Sequence, residues 1–482
     1  MNTIQRVARN TGFILLGQAV GAVLGIVLVV FLARYLGDVQ YGKYAFAFSF
    51  TALFLVISDM GLGLLSVREI ARAPQKASEY LTTISLTKLV LSLIMVGLIA
   101  IVINVMHYPK DTTIAVYIMG FITIFTSFST FFRLIFRAFE RMEYEAMTVA
   151  VERVLVVGAA IALLYLGYGL VKVVFAMLVA QAVACVFTLV ICIRKFARPR
   201  LAFDFSLSKR LVKAALPFGI ASVFGAIILQ TATVMLSIMK GDAAVGWYNV
   251  AYQLVLGTLL IPSAFGSSVY PILSRYFISS KDGLAMAYEK SLKFLGALAI
   301  PLGIGTTLIA GKIIFLLYGA EFANSVIALQ ILIWAASFTF VSLIVGYTLA
   351  SIDRQMVDMR ICGISALLNV VLNFILIPRF SYIGAGIASA ISQIVILILE
   401  FNYLQKYLYK INIIRIFWRP LCAAVVMGGV IFVLNNLLTT TWVNLFVMIF
   451  SAIAIYALLL YLFKAFDRQE IQLIRSAFNR RA

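Results

Sequence analysis

Residues 12–33, GFILLGQAVGAVLGIVLVVFLA, contain no charged side chain. A helical block of about 20 apolar residues is long enough to cross the hydrocarbon core of a bilayer. Blocks of this kind recur along the whole chain, which is 63% apolar and only 12% charged, whereas about a quarter of a soluble domain is charged. In lipid every backbone N–H and C=O must be bonded within the protein. The blocks lack the polar/apolar alternation of barrel strands, so helices must do this. The first block is too long for the apolar core of a cleaved signal peptide and lacks a cleavage pattern, so it reads as a retained span. The chain is an all-α polytopic membrane protein with about fourteen expected spans. The connections are too short for a separate soluble domain, and no P-loop pattern supplies a nucleotide-driven engine.

The net charge of +20 is placed unevenly. With the N-terminus inside, RKFARPR (194–200), Lys209, Arg210, Lys213, Arg475, Arg480 and Arg481 fall on the inner side. Lys110, Lys240, Lys312 and Arg379 are the outer exceptions. This asymmetry predicts a multi-pass protein of the cell (cytoplasmic) membrane with both termini in the cytoplasm. The basic loops then face anionic membrane lipid, and nucleic acid is not the expected partner. Cys185, Cys192, Cys362 and Cys422 lie inside spans without C-x-x-C spacing, and His107 is the lone histidine. Neither a metal site, a disulfide framework nor a Ser/His/Asp apparatus is expected from them, so the chain does not read as an enzyme and no cofactor is expected.

Two distant stretches repeat one pattern: LGDVQYGKYAFAF (36–48) and KGDAAVGWYNVAY (240–252). Each fits a tight turn between antiparallel helices, with Asp38 or Asp242 placed to cap the second helix. Later elements recur as well. AMLVAQ (176–181) is echoed by ASAISQ (388–393), and Glu152–Arg153 by Asp358 and Arg360. The chain therefore divides into a six-helix lobe over 1–205, a second over 206–411, and two additional helices with a basic tail over 412–482. Six is even, so both lobes enter the membrane in the same orientation. Such parallel repeats frame a substrate path in transporters.

ARYLGDVQYGKYAFAFSF (33–50) and SDMGLGLLSVREIAR (58–72) resemble the start of polysaccharide and lipid-linked oligosaccharide flippases. These belong to the multidrug/oligosaccharidyl-lipid/polysaccharide exporter superfamily. LYGAEFANSVIALQILIW (317–334) and LNVVLNFILIPRFSYIGAGIASAISQ (368–393) look like second-half signatures of the same group. The resemblance implies a two-lobed flippase working by alternating access. Its cargo would be an isoprenoid-pyrophosphate-linked glycan, moved from the inner to the outer leaflet for surface-polymer assembly or protein glycosylation. Spans 13 and 14 would form a side groove for the lipid tail, and a polymerase, ligase or oligosaccharyltransferase would be a partner. A cation-coupled drug or metabolite exporter of the same superfamily, or a non-transporting scaffold for glycan assembly, are the alternatives.

Such cargo needs cationic donors, because a phosphate buried without partners is prohibitively costly. The spans supply Lys88, Arg133, Arg153, Lys290, Lys293 and Arg360 in their inner halves, and Arg34 at an outer end. Arg133, Lys290, Arg360 and Arg34 lie near span ends, where snorkelling explains them equally well. Lys88 and Arg153 are deeper and are functional candidates. Gln18, Gln230, Asn369 and Asn373 suit sugar hydroxyls or, alternatively, bonds between helices. Asp59, Glu152 and Asp358 are the acids available for coupling to a proton or sodium gradient; neutralising neighbouring arginines is the competing reading for the last two.

Overall fold

The computed structural model describes residues 3–199, 204–408 and 411–466, and no strand occurs among them. The α-helices are α1 (Thr3–Asp59), α2 (Leu62–Arg72), α3 (Ala77–Val105), α4 (Lys110–Ala138), α5 (Met142–Tyr165), α6 (Leu170–Lys195) and α7 (Phe205–Lys240). They continue as α8 (Asp242–Thr258), α9 (Leu260–Ser279), α10 (Lys281–Tyr318), α11 (Ser325–Ser351), α12 (Gln355–Tyr407), α13 (Ile413–Leu437) and α14 (Trp442–Leu462).

Twelve helical stretches among the described residues are long and apolar enough to cross a bilayer. Two are too long to cross once. The 53 residues of α12 would measure roughly 80 Å at about 1.5 Å per residue, against a core of about 30 Å. Each is broken by one residue with non-helical backbone: Gly37 in α1 (φ 73°, ψ 177°) and Ser381 in α12 (φ 51°, ψ −136°). The expected fourteen spans require both arms of α1 and both arms of α12 to cross. A further break at Met60 and Gly61, both with positive φ, separates α2 from α1. Gly61 sits so close to Ala215 and Phe218 of α7 that a Cβ there would meet them at 2.6–2.7 Å. A side chain at this turn would push α7 away.

The chain packs as two compact units. One comprises Met1–Leu260 with Cys362–Ala388, the other Ile261–Ile361 with Ser389–Ala482. These follow contacts rather than repeats, and so do not coincide with 1–205 and 206–411. In the first unit, α7 and α8 pack with the helices before them. Its core joins Leu62, Leu65, Ile84, Phe131, Phe136 and Leu211, all at most 4% exposed, from α2, α3, α4 and α7.

The two Gly-Asp repeats meet in this unit, α8 lying along α1. A Cβ on Gly42 would run into the Asp242 carbonyl, and one on Gly246 into the Asp38 carbonyl. The contact is reciprocal, each repeat offering its glycine to the other's backbone. Asp38 accepts the amide of its neighbour Val39 at 2.8 Å, short of the N2 or N3 amide that the expected cap would take, and also the Trp247 indole N–H at 3.0 Å. Asp242 makes no cap either, Gly241 standing at the cap position; it lies beside the Lys43–Asp111 ion pair. The Lys240 ammonium donates to the Pro378 carbonyl at 2.7 Å, tying the first arm of α12 to the same end.

In the second unit, α10, α13 and α14 share a core of Ile309, Ala423, Met427, Ile431 and Met448. Lys312 is buried there, and no carboxylate among the described residues pairs with it. Its ammonium donates to the carbonyls of Asn435 and Leu438 at 2.9 and 2.8 Å, and so satisfies acceptors that the end of α13 leaves open. Outward faces of α13 and α14 carry exposed Val425, Phe432, Phe446, Phe450 and Ile453, as lipid-facing helices do.

Candidate functional site

Four of the predicted charges are neutralised in two pairs inside the first unit. Lys88 is fully buried, and its ammonium meets the Asp59 carboxylate at 2.5 Å. Arg133 pairs with Glu152, both side chains about nine-tenths buried. The sequence neighbours Glu152 and Arg153 therefore do not pair. One helical position turns a side chain by 100°, so Glu152 points into the α4–α5 interface while Arg153 points away from it. Likewise Asp358 lies against Glu400 and not against Arg360. The Arg133 Nε remains without a partner among the described residues.

Arg153 borders a cavity of about 330 Å³ with Gln18, Gly17, Gly21, Ala146, Val149 and Glu145. The helix-facing positions 17 and 21 are glycine, which opens this space: a Cβ on Gly21 would stand 3.8 Å from the Arg153 Nε. No carboxylate pairs with Arg153 among the described residues. A second cavity, of about 600 Å³, is lined by Asp59, Gln230, Ser127, Thr130, Ser222 and Arg137. Lys88 lies behind Asp59 and does not reach this wall.

The two cavities are linked by a pair that sequence reasoning missed. Arg137, on the wall of the larger, grips Glu145, on the wall of the smaller, with two hydrogen bonds. Arg137 ends α4 and Glu145 opens α5, so in sequence both look like loop charges. The signal that was available is the helix-terminal placement of a base and an acid eight positions apart.

The remaining candidates scatter. Arg34 and Arg360 are exposed, while Lys290 and Lys293 are half-buried. Lys293 holds its ammonium 5.0 Å from the Phe466 ring centre. Asn369 and Asn373 are buried and bonded to each other, the Asn373 amide donating to the Asn369 Oδ1 at 2.9 Å; they line neither cavity. No group of three or more His, Cys, Asp or Glu side chains suited to a metal ion occurs among the described residues.

In the second unit an apolar groove of about 400 Å³ is bounded by Leu292, Trp334, Phe338, Leu397, Phe401 and Phe417. It draws on α10, α11, the second arm of α12, and α13.

These features define a class, a multi-pass helical membrane protein with the fold of known membrane transporters. The architecture is similar to that of the lipid II flippase MurJ in an inward closed conformation, with a TM-score of 0.79 and 17% identity. That likeness covers 93% of this chain and 98% of the other. The family model described as polysaccharide biosynthesis protein matches residues 7–277, more than half of the chain, and the MatE model matches 217–375. The chain belongs to the polysaccharide biosynthesis protein family. It is 24% identical over 463 residues to the probable low-salt glycan biosynthesis flippase Agl15 of Haloferax volcanii, covering 95% of this chain and 96% of that one. It is 23% identical over 416 residues to the capsular polysaccharide biosynthesis protein CapF of Staphylococcus aureus, covering 83% and 100%.

Proposed function

We propose that this protein is a flippase that carries an isoprenoid (pyro)phosphate-linked oligosaccharide from the inner to the outer leaflet of the cell membrane by alternating access. The observation that carries this reading is the cavity where Arg153, unpaired by any described carboxylate, stands beside Gln18. A guanidinium fork matches phosphate oxygens, and an amide both donates to and accepts from sugar hydroxyls. The Asp59–Gln230 cavity, with its serine and threonine hydroxyls, extends the polar surface available to a glycan. The apolar groove of the second unit suits the isoprenoid tail; α13 contributes to it and α14 does not.

The similarity to Agl15 and CapF, both named for glycan or polysaccharide biosynthesis, supports the substrate class. Two six-helix lobes, fourteen spans, cytoplasmic termini and a polymerase, ligase or oligosaccharyltransferase as partner complete the proposal. Coupling to a proton or sodium gradient through Asp59, Glu152 or Asp358 belongs to it as well.

The test is the cellular pool of lipid-linked oligosaccharide with the gene intact, deleted, or carrying Arg153→Glu. Deletion should raise the pool and reduce surface glycan, and the mass of the trapped species would identify the cargo. Arg153→Glu should reproduce the deletion at normal membrane abundance, while Arg153→Lys retains partial transport. An unchanged pool on deletion, with no second flippase present, would return the choice to an exporter or a scaffold.

A further inference from the structure

In the second unit two carboxyl groups, one buried and one half-buried, lie together with no cation beside them among the described residues. Glu400 is 2% exposed and accepts the Ser342 hydroxyl at 2.7 Å. Asp358, from the other arm of the same kinked helix, sets its carboxyl against that of Glu400. A Cβ placed on Gly346 of α11 would stand 3.5 Å from the Asp358 Oδ1 and 3.9 Å from the Glu400 Oε1. The glycine thus leaves both acids a common free face. Two carboxyl groups placed side by side can bond to each other only when one of them carries a proton, because two ionised carboxylates offer only acceptors.

A second observation comes from α10. The Tyr288 hydroxyl is buried, with the residue 3% exposed, and has no hydrogen-bond partner among the described residues. It lies near enough to Glu400 to interact with its charge. Leaving a buried hydroxyl unbonded is unfavourable, so such a group points to a partner gained in another state. The groups facing the pair are Tyr288 from α10, Ser342 from α11, and the two acids of α12 themselves. Among the described residues no lysine or arginine acts on either carboxyl, whereas Arg354 and Arg360 act on Tyr403.

We propose that Asp358 and Glu400 form a proton-exchange site, holding one proton between them and releasing it to water, with Tyr288 the donor that stabilises the released state. In the loaded state the proton bridges the carboxyls and the tyrosine is idle. On release the pair carries two negative charges, and the hydroxyls of Ser342 and Tyr288 both donate to Glu400. No bond other than O–H is made or broken. The site deepens the transport reading proposed above, on which its role in coupling rests, and it selects Asp358 from the three candidate acids by giving it a partner in Glu400.

The experiment is an infrared pH titration of the purified full-length protein in lipid nanodiscs, from about pH 5 to about pH 9, where buried carboxyls titrate. Sodium-free buffer is used, and the carbonyl stretch of protonated carboxyl groups is followed. One titrating band is expected in the wild type and lost in both Glu400→Gln and Asp358→Asn. Tyr288→Phe should keep the band and move its midpoint to higher pH, since the released state loses a donor. Thermal melting of each variant checks folding, and Ser342→Ala gives a second, milder perturbation expected to move the midpoint the same way.

A band that survives both Glu400→Gln and Asp358→Asn overturns the proposal. So does loss of the band at fixed pH on adding sodium alone, which would make the pair a sodium site. The readout is independent of glycan transport. An unchanged lipid-linked pool on gene deletion would remove the flippase reading and leave the titration standing.

Discussion

Arg133 and Glu152 neutralise each other where water does not reach. Removing one member of such a pair leaves a charge buried alone, at a cost of about 3–5 kcal/mol, whereas replacing both by apolar groups is often neutral or stabilising. Arg133→Met and Glu152→Leu should therefore each lower the melting temperature of the purified protein strongly, and the double variant should recover most of the loss. A double variant as unstable as the worse single would show that the pair is needed for itself. Arg153 differs from its neighbour because it faces a cavity: its reversal should act on transport and leave melting nearly unchanged. Lys88 and Asp59 fall between these cases, since the lysine is fully buried and the aspartate half-open to the larger cavity. A gradient-dependent effect of Asp59→Asn must therefore be separated from the loss of Lys88's counter-charge.

The repeated Gly-Asp turn acts at the scale of helices. Gly42 and Gly246 each allow a partner's backbone carbonyl closer than any side chain permits, so α1 and α8 touch main chain to main chain. Gly42→Ala or Gly246→Ala forces these helices apart, and overpacking of this kind costs about 1–3 kcal/mol. Each is expected to lower the melting temperature and impair complementation of a deletion strain. Gly25→Ala, a position where a Cβ meets nothing within 4 Å, is the control that should do neither. Wild-type behaviour of both variants would mean that the junction is dispensable. Both positive-φ breaks, at Gly37 and at Ser381, turn one long helix into two arms. The first is written as glycine; the second falls where Pro378 and Arg379 already separate two expected spans, although nothing in the residue type singles out the serine itself.

For the whole molecule, the charge asymmetry of the loops predicts orientation. A reporter fused after Ala482 that is active only in the cytoplasm should be active, and an export-dependent phosphatase at the same position should be silent; the reverse result would invert the proposed direction of transport. The helical membrane fold and the candidate cations were legible because lipid imposes a length and a composition on every span, and because charge inside such a span is rare enough to notice. The partners of those charges were not legible. Glu152 and Arg153 are adjacent in sequence, yet one is buried against α4 and the other opens on a cavity.

Length, hydropathy and loop charge are properties of each segment alone, so the sequence by itself determined that the chain is a helical, multi-pass membrane protein. Pairing depends on which helix faces which, at a resolution finer than one turn, and only the tertiary structure decided it. It set Lys88 on Asp59, joined Arg137 to Glu145 between two cavities, left Arg153 without a described carboxylate, and brought Glu400 to Asp358 across the two arms of one helix. The physical reason is that an ion or a proton needs a partner within a few ångströms, and in a bundle that partner comes from whichever helix the packing brings near.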